Sequence, residues 1–317
     1  MKVLVTDSDY PSLDIEADVF TAAGHRLLTA SCKTPEDVIE AAAGVDALLV
    51  QYAPITAVVF EALPQLRLVS RYGVGVDVVD LEAARAHGVW VCNVPDYGTA
   101  EVALHAVAML LALLRNLAGH DREVRAGNWN YQLGGELRRP GSLTLGVVGL
   151  GRIGQMAAER AAPWFGAAVG YDPYLPDTEW PDWLERLGLQ DLFARSSAIT
   201  LHLPLTDATR GFVGTDILGR VPTGSYLVNT ARGGLVDPDA LLESLESGRL
   251  AGVALDVFPQ EPPPREHPLL AHPRALITPH VAWYSVDSEV ELRRKAAQNI
   301  VDWARTGRPT YAVVEGR

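Results

Sequence analysis

Short apolar runs alternate with stretches whose apolar residues recur every three or four positions, from the first residues of the chain almost to its last. KVLVT (2–6), HRLLTA (25–30), DALLV (46–50), LRLVS (66–70) and VWVCNV (89–94) read as strands. The stretches between them read as helices. In TPEDVIEAAAG, Thr34 can cap, Pro35 suits the first turn, and Gly44 can end the helix. Strands that alternate with helices in this way imply a parallel sheet covered by helices.

A long helical pattern starts near Thr99. In TAEVALHAVAMLLALLRN, Val102, Val107, Leu110, Leu111 and Leu114 recur at helical spacing, and almost every face is apolar. Such a helix is expected to be buried on several sides, in a subunit interface or in a central core. A second alternating series follows: LTLGVVGL (143–150), AAVGYD (167–172), ITLHL (199–203), SYLVNTA (225–231), GVALDVF (252–258) and ALITPH (275–280). The last helix is expected at roughly 286–306, with Ser288 and Glu291 as its capping box and Gly307 as its stop. PQEPPPREHP (259–268) is a proline-rich loop, and there are no repeats or low-complexity tracts.

Bulk properties narrow the function classes. The chain has 317 residues, 48% of them hydrophobic, a length that suggests two domains. Acidic residues outnumber basic ones by 39 to 27, giving a net charge of -12 without a Lys/Arg cluster, so a nucleic-acid partner is not expected. Cys32 and Cys92 make neither a disulfide framework nor a metal cluster, and no metal is expected. MKVLVTDSDY reads as a first strand rather than a signal peptide. No uninterrupted apolar run reaches membrane-spanning length. The expectation is a cytoplasmic protein.

Candidate chemistry enters with GLGRIG (149–154). Gly149, Gly151 and Gly154 form GxGxxG between an apolar strand and an alanine-rich helix, the context this pattern needs. The first glycine permits a tight turn, the second lets backbone approach a pyrophosphate, and the third lets helix and strand pack closely. The helix N-terminus then offers free N–H groups to the phosphates. The next strand ends at Tyr171-Asp172, 18 residues after Gly154. A carboxylate there can accept both hydroxyls of an adenosine ribose and repels a 2′-phosphate, which favours NAD over NADP.

Three further strand ends carry reactive residues. Arg232 follows SYLVNTA, Asp256 and Glu261 follow the next strand, and His280 ends ALITPH. In a doubly wound sheet these ends face the same crevice as the glycine loop. Reduction of a 2-oxo acid needs a fixed cation for the carboxylate, a proton donor for the ketone oxygen, and a carboxylate that orients the donor. Arg232, His280 and Glu261 fit those roles in that order.

With these residues in place, the sequence resembles the D-isomer-specific 2-hydroxyacid dehydrogenases through nearly its whole length. RYGVGVDVVD (71–80), CNVP (92–95), GLGRIG (149–154), HLPLTDATR (202–210), NTARGGLVD (229–237), ALDVFPQEP (254–262) and TPH (278–280) are similar to that family's signatures in their order. The resemblance implies an α/β fold of two doubly wound parallel-sheet domains around an interdomain cleft. A flavodoxin-like substrate domain (1–98 plus 286–317) would be interrupted by a Rossmann NAD-binding domain (99–285), with hinges near 98 and 285. It implies a homodimer built largely by the NAD-binding domains. Residue by residue, it makes Arg232 the substrate-carboxylate anchor, Glu261 the partner of the acid/base and His280 the proton donor. Tyr72, Gly73, Val74 and Gly75 match a loop whose amides hold the substrate carboxylate. Asp256 matches an acceptor for the nicotinamide carboxamide. His202, Pro204 and Thr209 match a wall beside adenosine and phosphates. Gly149, Leu150, Gly151, Arg152, Ile153, Gly154 and Asp172, with Thr230, Ala231, Arg232 and His280, complete the implied cofactor contacts.

Within the family, GRIGQMAAERAAPWFGAAVGYDPYLPD and HVAWYS are similar to the C-terminal-binding proteins, corepressors that retain the dehydrogenase fold. Trp283 matches a tryptophan of their pocket, as an apolar wall for a substrate side chain or as a packing residue. Tyr52 matches another pocket position, while Ala53 stands where they have a histidine. Two function classes follow: an NAD-dependent reductase of a 2-oxo acid, and an NAD(H)-sensing binding protein of the corepressor kind. The chain ends about ten residues after its last helix, which is short for a corepressor tail or for the regulatory domain of many phosphoglycerate dehydrogenases, and the enzyme is the expectation. D-3-phosphoglycerate dehydrogenase is an alternative on the same fold.

Overall fold

The computed structural model describes all 317 residues, which divide into two compact units: Met1–Gly98 with Ser285–Arg317, and Thr99–Tyr284. The boundary lies one residue before the expected 286, because Ser285 caps the helix Val286–Thr306 and belongs with it.

In the first unit, with strands numbered along the chain, β1 (Lys2–Val5), β2 (Arg26–Thr29), β3 (Ala47–Val50), β4 (Leu68–Arg71) and β5 (Trp90–Cys92) form a parallel sheet in the order β5-β4-β3-β1-β2. This is the flavodoxin-like order, with its switch point between β1 and β3. The β3 run ALLV is buried at every position, as a central strand covered on both faces must be. One strand departs from the expected all-parallel arrangement. β13 (Ala312–Val314) pairs antiparallel with β5. The helix Val286–Thr306 stops at Gly307 in the left-handed region, and the chain then comes back along the open β5 edge, covering backbone groups that would otherwise face solvent.

The second unit holds β6 (Thr144–Val148), β7 (Ala167–Tyr171), β8 (Glu185–Arg186), β9 (Ala198–Leu201), β10 (Ser225–Asn229), β11 (Leu250–Leu255) and β12 (Ala275–Ile277). All are parallel, in the order β12-β11-β10-β9-β6-β7-β8. Counted from β6, this is the Rossmann order with one added edge strand, and the switch point lies between β6 and β9. Two apolar clusters fill its two faces, one around Phe193, Leu227 and Leu245, the other around Leu110, Val147 and Ala158.

The helix Thr99–Leu114 packs Ala103, Ala106, Met109, Leu110 and Leu114 into the core and exposes Leu104. One expectation needs correction. The last helix begins one turn earlier than a Ser288/Glu291 box would require. Ser285 is its N-cap and accepts from the Ser288 amide, while the Ser288 hydroxyl returns to the Ser285 amide. A serine at the third position serves because its hydroxyl reaches the cap as a glutamate would. No single helix is long and apolar enough to cross a membrane.

Candidate active site

The glycine loop follows β6 at the switch point. Gly149 has φ 93, and a Cβ there would lie 2.7 Å from the His202 carbonyl carbon, so only glycine makes this turn. A Cβ on Gly154 would lie 1.9 Å from the Gly149 oxygen, which is how closely the helix Arg152–Ala161 is seated. Gly151 caps that helix, and a Cβ there would meet nothing within 4 Å. Leu150 is buried, Ile153 half-buried and Arg152 exposed. The first intrahelical bond is Gln155 N to Gly151 O, so the amides of Arg152, Ile153 and Gly154 open the helix without a helical acceptor.

Asp172 follows β7 and is held by three amides. Oδ2 accepts from Leu150 N (2.8 Å), and Oδ1 from Tyr174 N (2.8 Å) and Leu175 N (3.1 Å). A carboxylate offers about four acceptor sites. Asp172 thus ties the glycine loop to the turn after β7 and keeps one site on Oδ2 for a further donor.

The β9 end carries His202. Its Nε2 lies 3.0 Å from Thr200 Oγ1, and burial pushes its pKa down to about 4, which keeps the imidazole neutral. Pro204 and Thr209 belong to the following turn. The Thr209 hydroxyl donates to Pro204 O (2.7 Å) and accepts from Thr206 N (2.8 Å), so it holds this loop in shape. After β10, Thr230 is buried with its hydroxyl lacking a partner. Asn229 shapes the next turn, accepting from Ala231 N (3.0 Å) and donating to Arg232 O (2.9 Å). Gly233 lets that turn approach β11's exit: a Cβ there would lie 1.9 Å from the Phe258 carbonyl carbon. Positive-φ Gly149, tightly seated Gly154, the open approach at Gly151 and the orphaned Thr230 hydroxyl together fit a dinucleotide.

Glu261 and His280 meet. His280 Nδ1 lies 2.6 Å from Glu261 Oε2, with side chains 43% and 36% exposed. Donation from Nδ1–H leaves Nε2 as the ring atom free to carry a proton outward. Glu261 Oε1 accepts from Phe258 N (2.9 Å). Burial pushes the Glu261 carboxyl up, but the His280 hydrogen bond and charge, the Phe258 amide and the nearby Arg232 charge outweigh it and hold it below its ordinary value. Arg232 Nη1 also donates to Ala231 O (2.7 Å).

His280 has φ 53, a left-handed conformation that a non-glycine residue adopts only when its surroundings fix it. Asp256 does so. It is almost fully buried, its carbonyl accepts from His280 N (2.8 Å), and its carboxylate accepts from Thr278 Oγ1 (2.6 Å), Val281 N (2.9 Å) and Ala282 N (3.0 Å). The Thr278 oxygen, its proton given to Asp256, accepts from His105 Nε2 (3.1 Å). Asp256 therefore spends most of its acceptor capacity on the His280 segment, beyond the carboxamide role read from the sequence. Thr278, His105 and Asn229 escaped sequence reasoning. Thr278 lies inside the quoted TPH, and His105 is the one imidazole in an otherwise apolar helix face. Trp283 is half-buried, edge-on to Tyr284 (centroids 5.6 Å apart).

In the first unit, Asp7 at the switch point accepts from Gln51 N (3.2 Å), Tyr52 N (2.6 Å) and Ala53 N (3.2 Å), which fixes the turn that presents the exposed Tyr52 side chain. Tyr72, Gly73, Val74 and Gly75 follow β4. Tyr72 and Gly73 are buried, Val74 is exposed and Gly73 has φ 124. Gly73 O accepts from Val94 N (2.9 Å), and Val74 O from Asn93 Nδ2 (2.6 Å).

Comparison with known proteins places this geometry. A sequence model described as the NAD binding domain of D-isomer specific 2-hydroxyacid dehydrogenases matches residues 107–282. D-3-phosphoglycerate dehydrogenase of Bacillus subtilis is 36% identical over 85% of this chain and 51% of its own length. The chain thus spans about half the length of such relatives. Glycerate dehydrogenase of Methylorubrum extorquens is 32% identical over 96% of this chain and 97% of its own. The structure of a Staphylococcus aureus NAD-dependent formate dehydrogenase in complex with NAD superposes with a TM-score of 0.88 at 31% identity, covering 100% of both chains.

Proposed function

This chain belongs to the D-isomer-specific 2-hydroxyacid dehydrogenase family, and we propose that it is an NAD-dependent reductase of a small 2-oxo acid, or the dehydrogenase of its D-2-hydroxy acid. The observation that carries the reading is the 2.6 Å His280–Glu261 pair on a strand end that also neighbours Arg232. When bound, NADH supplies the hydride. Gly149, Leu150, Gly151, Arg152, Ile153 and Gly154 would hold its pyrophosphate, Asp172 a ribose hydroxyl, and Thr230 and Ala231 the turn beside it, with His202, Pro204 and Thr209 as wall. Arg232 pairs with the substrate carboxylate through two N–H groups. His280 delivers the proton from Nε2 to the ketone oxygen, and Glu261 keeps Nδ1 protonated and the ring aimed. Asp256 holds the His280 segment and can accept from the carboxamide. Gly73, Val74 and Gly75 would add backbone donors for the carboxylate, with Tyr72, whose own amide is taken by Val50 O, as the entry residue of that loop, and Tyr52 and Trp283 are each candidates for contact with the substrate side chain.

A second reading, D-3-phosphoglycerate dehydrogenase, is favoured by the identity to such enzymes. The two separate in one experiment: NADH oxidation against glyoxylate, hydroxypyruvate, phenylpyruvate, 4-methylthio-2-oxobutyrate and phosphohydroxypyruvate. The main reading expects turnover of a non-phosphorylated member, and an apolar winner supports Trp283 as a wall. Sole turnover of phosphohydroxypyruvate selects the second reading. Tight NADH binding without turnover selects an NAD(H)-responsive binding protein. A homodimer through the NAD-binding domain is supported by the exposed apolar side chains of Leu104, Leu117, Trp129, Tyr131 and Leu133, all of which lie in that unit.

A further inference from the structure

One buried charge cluster lies apart from the reactive residues. Glu16, on the helix Asp14–Ala22, and Arg293, on the helix Val286–Thr306, form a two-pronged pair: Arg293 Nε donates to Oε1 (2.9 Å) and Nη2 to Oε2 (2.8 Å). Their side chains are 0% and 5% exposed. Arg293 also donates to Ser12 O and lies over the Tyr10 ring, 4.4 Å from its centroid. Two charges this deep need every hydrogen-bonding position filled. The remaining acceptor position on Glu16 Oε1 is filled by the Tyr72 hydroxyl (3.0 Å), and the Tyr10 ring stands edge-on to Tyr72 at 5.4 Å. Burial, then the Glu16 charge, hold the Tyr72 phenol above its ordinary pKa, so the hydroxyl remains a donor.

Tyr72 is the first residue of the 72–75 loop. Its amide is fixed on Val50 O (2.9 Å), and its side chain points back into the ion pair. The loop is therefore held at both the backbone and the side chain of its entry residue, while the residues that follow include two glycines with little conformational preference of their own. We propose that Glu16 and Arg293 are positioning residues for the 72–75 loop, acting through the Tyr72 hydroxyl to hold its amides in the geometry that receives the substrate carboxylate. The inference rests on the 2-oxo acid reading given above. It assigns to a buried ion pair a part in substrate affinity, beyond any part in folding.

The test is Tyr72→Phe, which removes one oxygen and leaves the ring contact and the Glu16–Arg293 pair in place. The loss of one hydrogen bond to a charged partner is expected to raise KM for the best 2-oxo acid roughly threefold to tenfold. kcat and the KM for NADH should stay within about twofold, and the melting temperature should fall by a few degrees, because Glu16 Oε1 loses one donor. Glu16→Gln keeps an acceptor for the phenol but leaves the buried guanidinium to the more distant Glu289 carboxylate (3.3 Å), so it should lower the melting temperature more than Tyr72→Phe does, with a smaller rise in KM. An unchanged KM for the 2-oxo acid in Tyr72→Phe, or an equal rise in both KM values, overturns the positioning role. A wild-type protein that turns over no 2-oxo acid overturns the functional reading and this inference together.

Discussion

Gly151→Ala separates what the glycine loop does for the fold from what it does for the cofactor. Gly151 has φ −69 and ψ −169, extended backbone open to any residue, and an added Cβ meets no protein atom within 4 Å. Replacing glycine at a compatible position gains about 0.4–1 kcal/mol by restricting the unfolded chain. The position is also a helix N-cap, where alanine is the poorer choice by a few tenths to about 1 kcal/mol. The two terms nearly cancel, so the melting temperature should stay within about 2 °C. The open space, however, is where the proposed cofactor reading brings a pyrophosphate against the backbone. Overpacking by one methyl costs about 1–3 kcal/mol, which weakens NADH binding roughly 5- to 150-fold. Gly154→Ala is the contrast: its Cβ would lie 1.9 Å from a backbone oxygen, so it must lower the melting temperature by several degrees. Fluorescence titration with NADH and thermal unfolding of both variants decide the matter. An NADH Kd within twofold of wild type in Gly151→Ala, or a loss of melting temperature equal to that of Gly154→Ala, would refute the reasoning.

Two other outcomes are expected. Asp172→Ala removes the anchor of Leu150 N together with the carboxylate proposed to accept from the adenosine ribose, so kcat/KM should fall about tenfold or more with NADH and less with NADPH; a wild type that already prefers NADPH contradicts this. His202 binds a proton near its ordinary 6.5 when unfolded but only at about 4 when folded, so the unfolded state holds more protons between those values. Stability is then fully present above pH 6.5 and falls with pH, by about 2 kcal/mol at pH 5. Urea unfolding at pH 7.5 and 5 should show that loss in wild type and a smaller one in His202→Gln; equal losses would refute the assignment.

What the sequence makes legible is local. The apolar runs of β1, β3, β6, β9, β10 and β11 announce themselves because a doubly covered strand is apolar over most of its length. The glycine spacing and Thr34-Pro35 cap are likewise contained in a few residues, and Thr34 does cap its helix. Very short elements escape: β8 is the exposed pair Glu185–Arg186, and β13 is three residues whose strand character comes from the β5 edge. Interactions that span the chain also escape. Glu16 and Arg293 lie 277 positions apart, and no periodicity connects them. The pattern alone places the cap one turn late, because Ser288 offers the same chemistry as Ser285 and the choice between them is made by where the preceding segment lands. The resemblance implies only a carboxamide contact for Asp256; its grip on Thr278, Val281 and Ala282 depends on the left-handed turn at His280, which no residue type announces.

The most direct test of the central claim is turnover by His280→Ala with the best 2-oxo acid, measured beside NADH binding. Loss of the proton donor is expected to lower kcat on the order of 10²- to 10⁴-fold while the NADH Kd stays within about threefold. Turnover close to wild type would remove His280 from the chemistry and leave its 2.6 Å pairing with Glu261 as a feature of the fold alone.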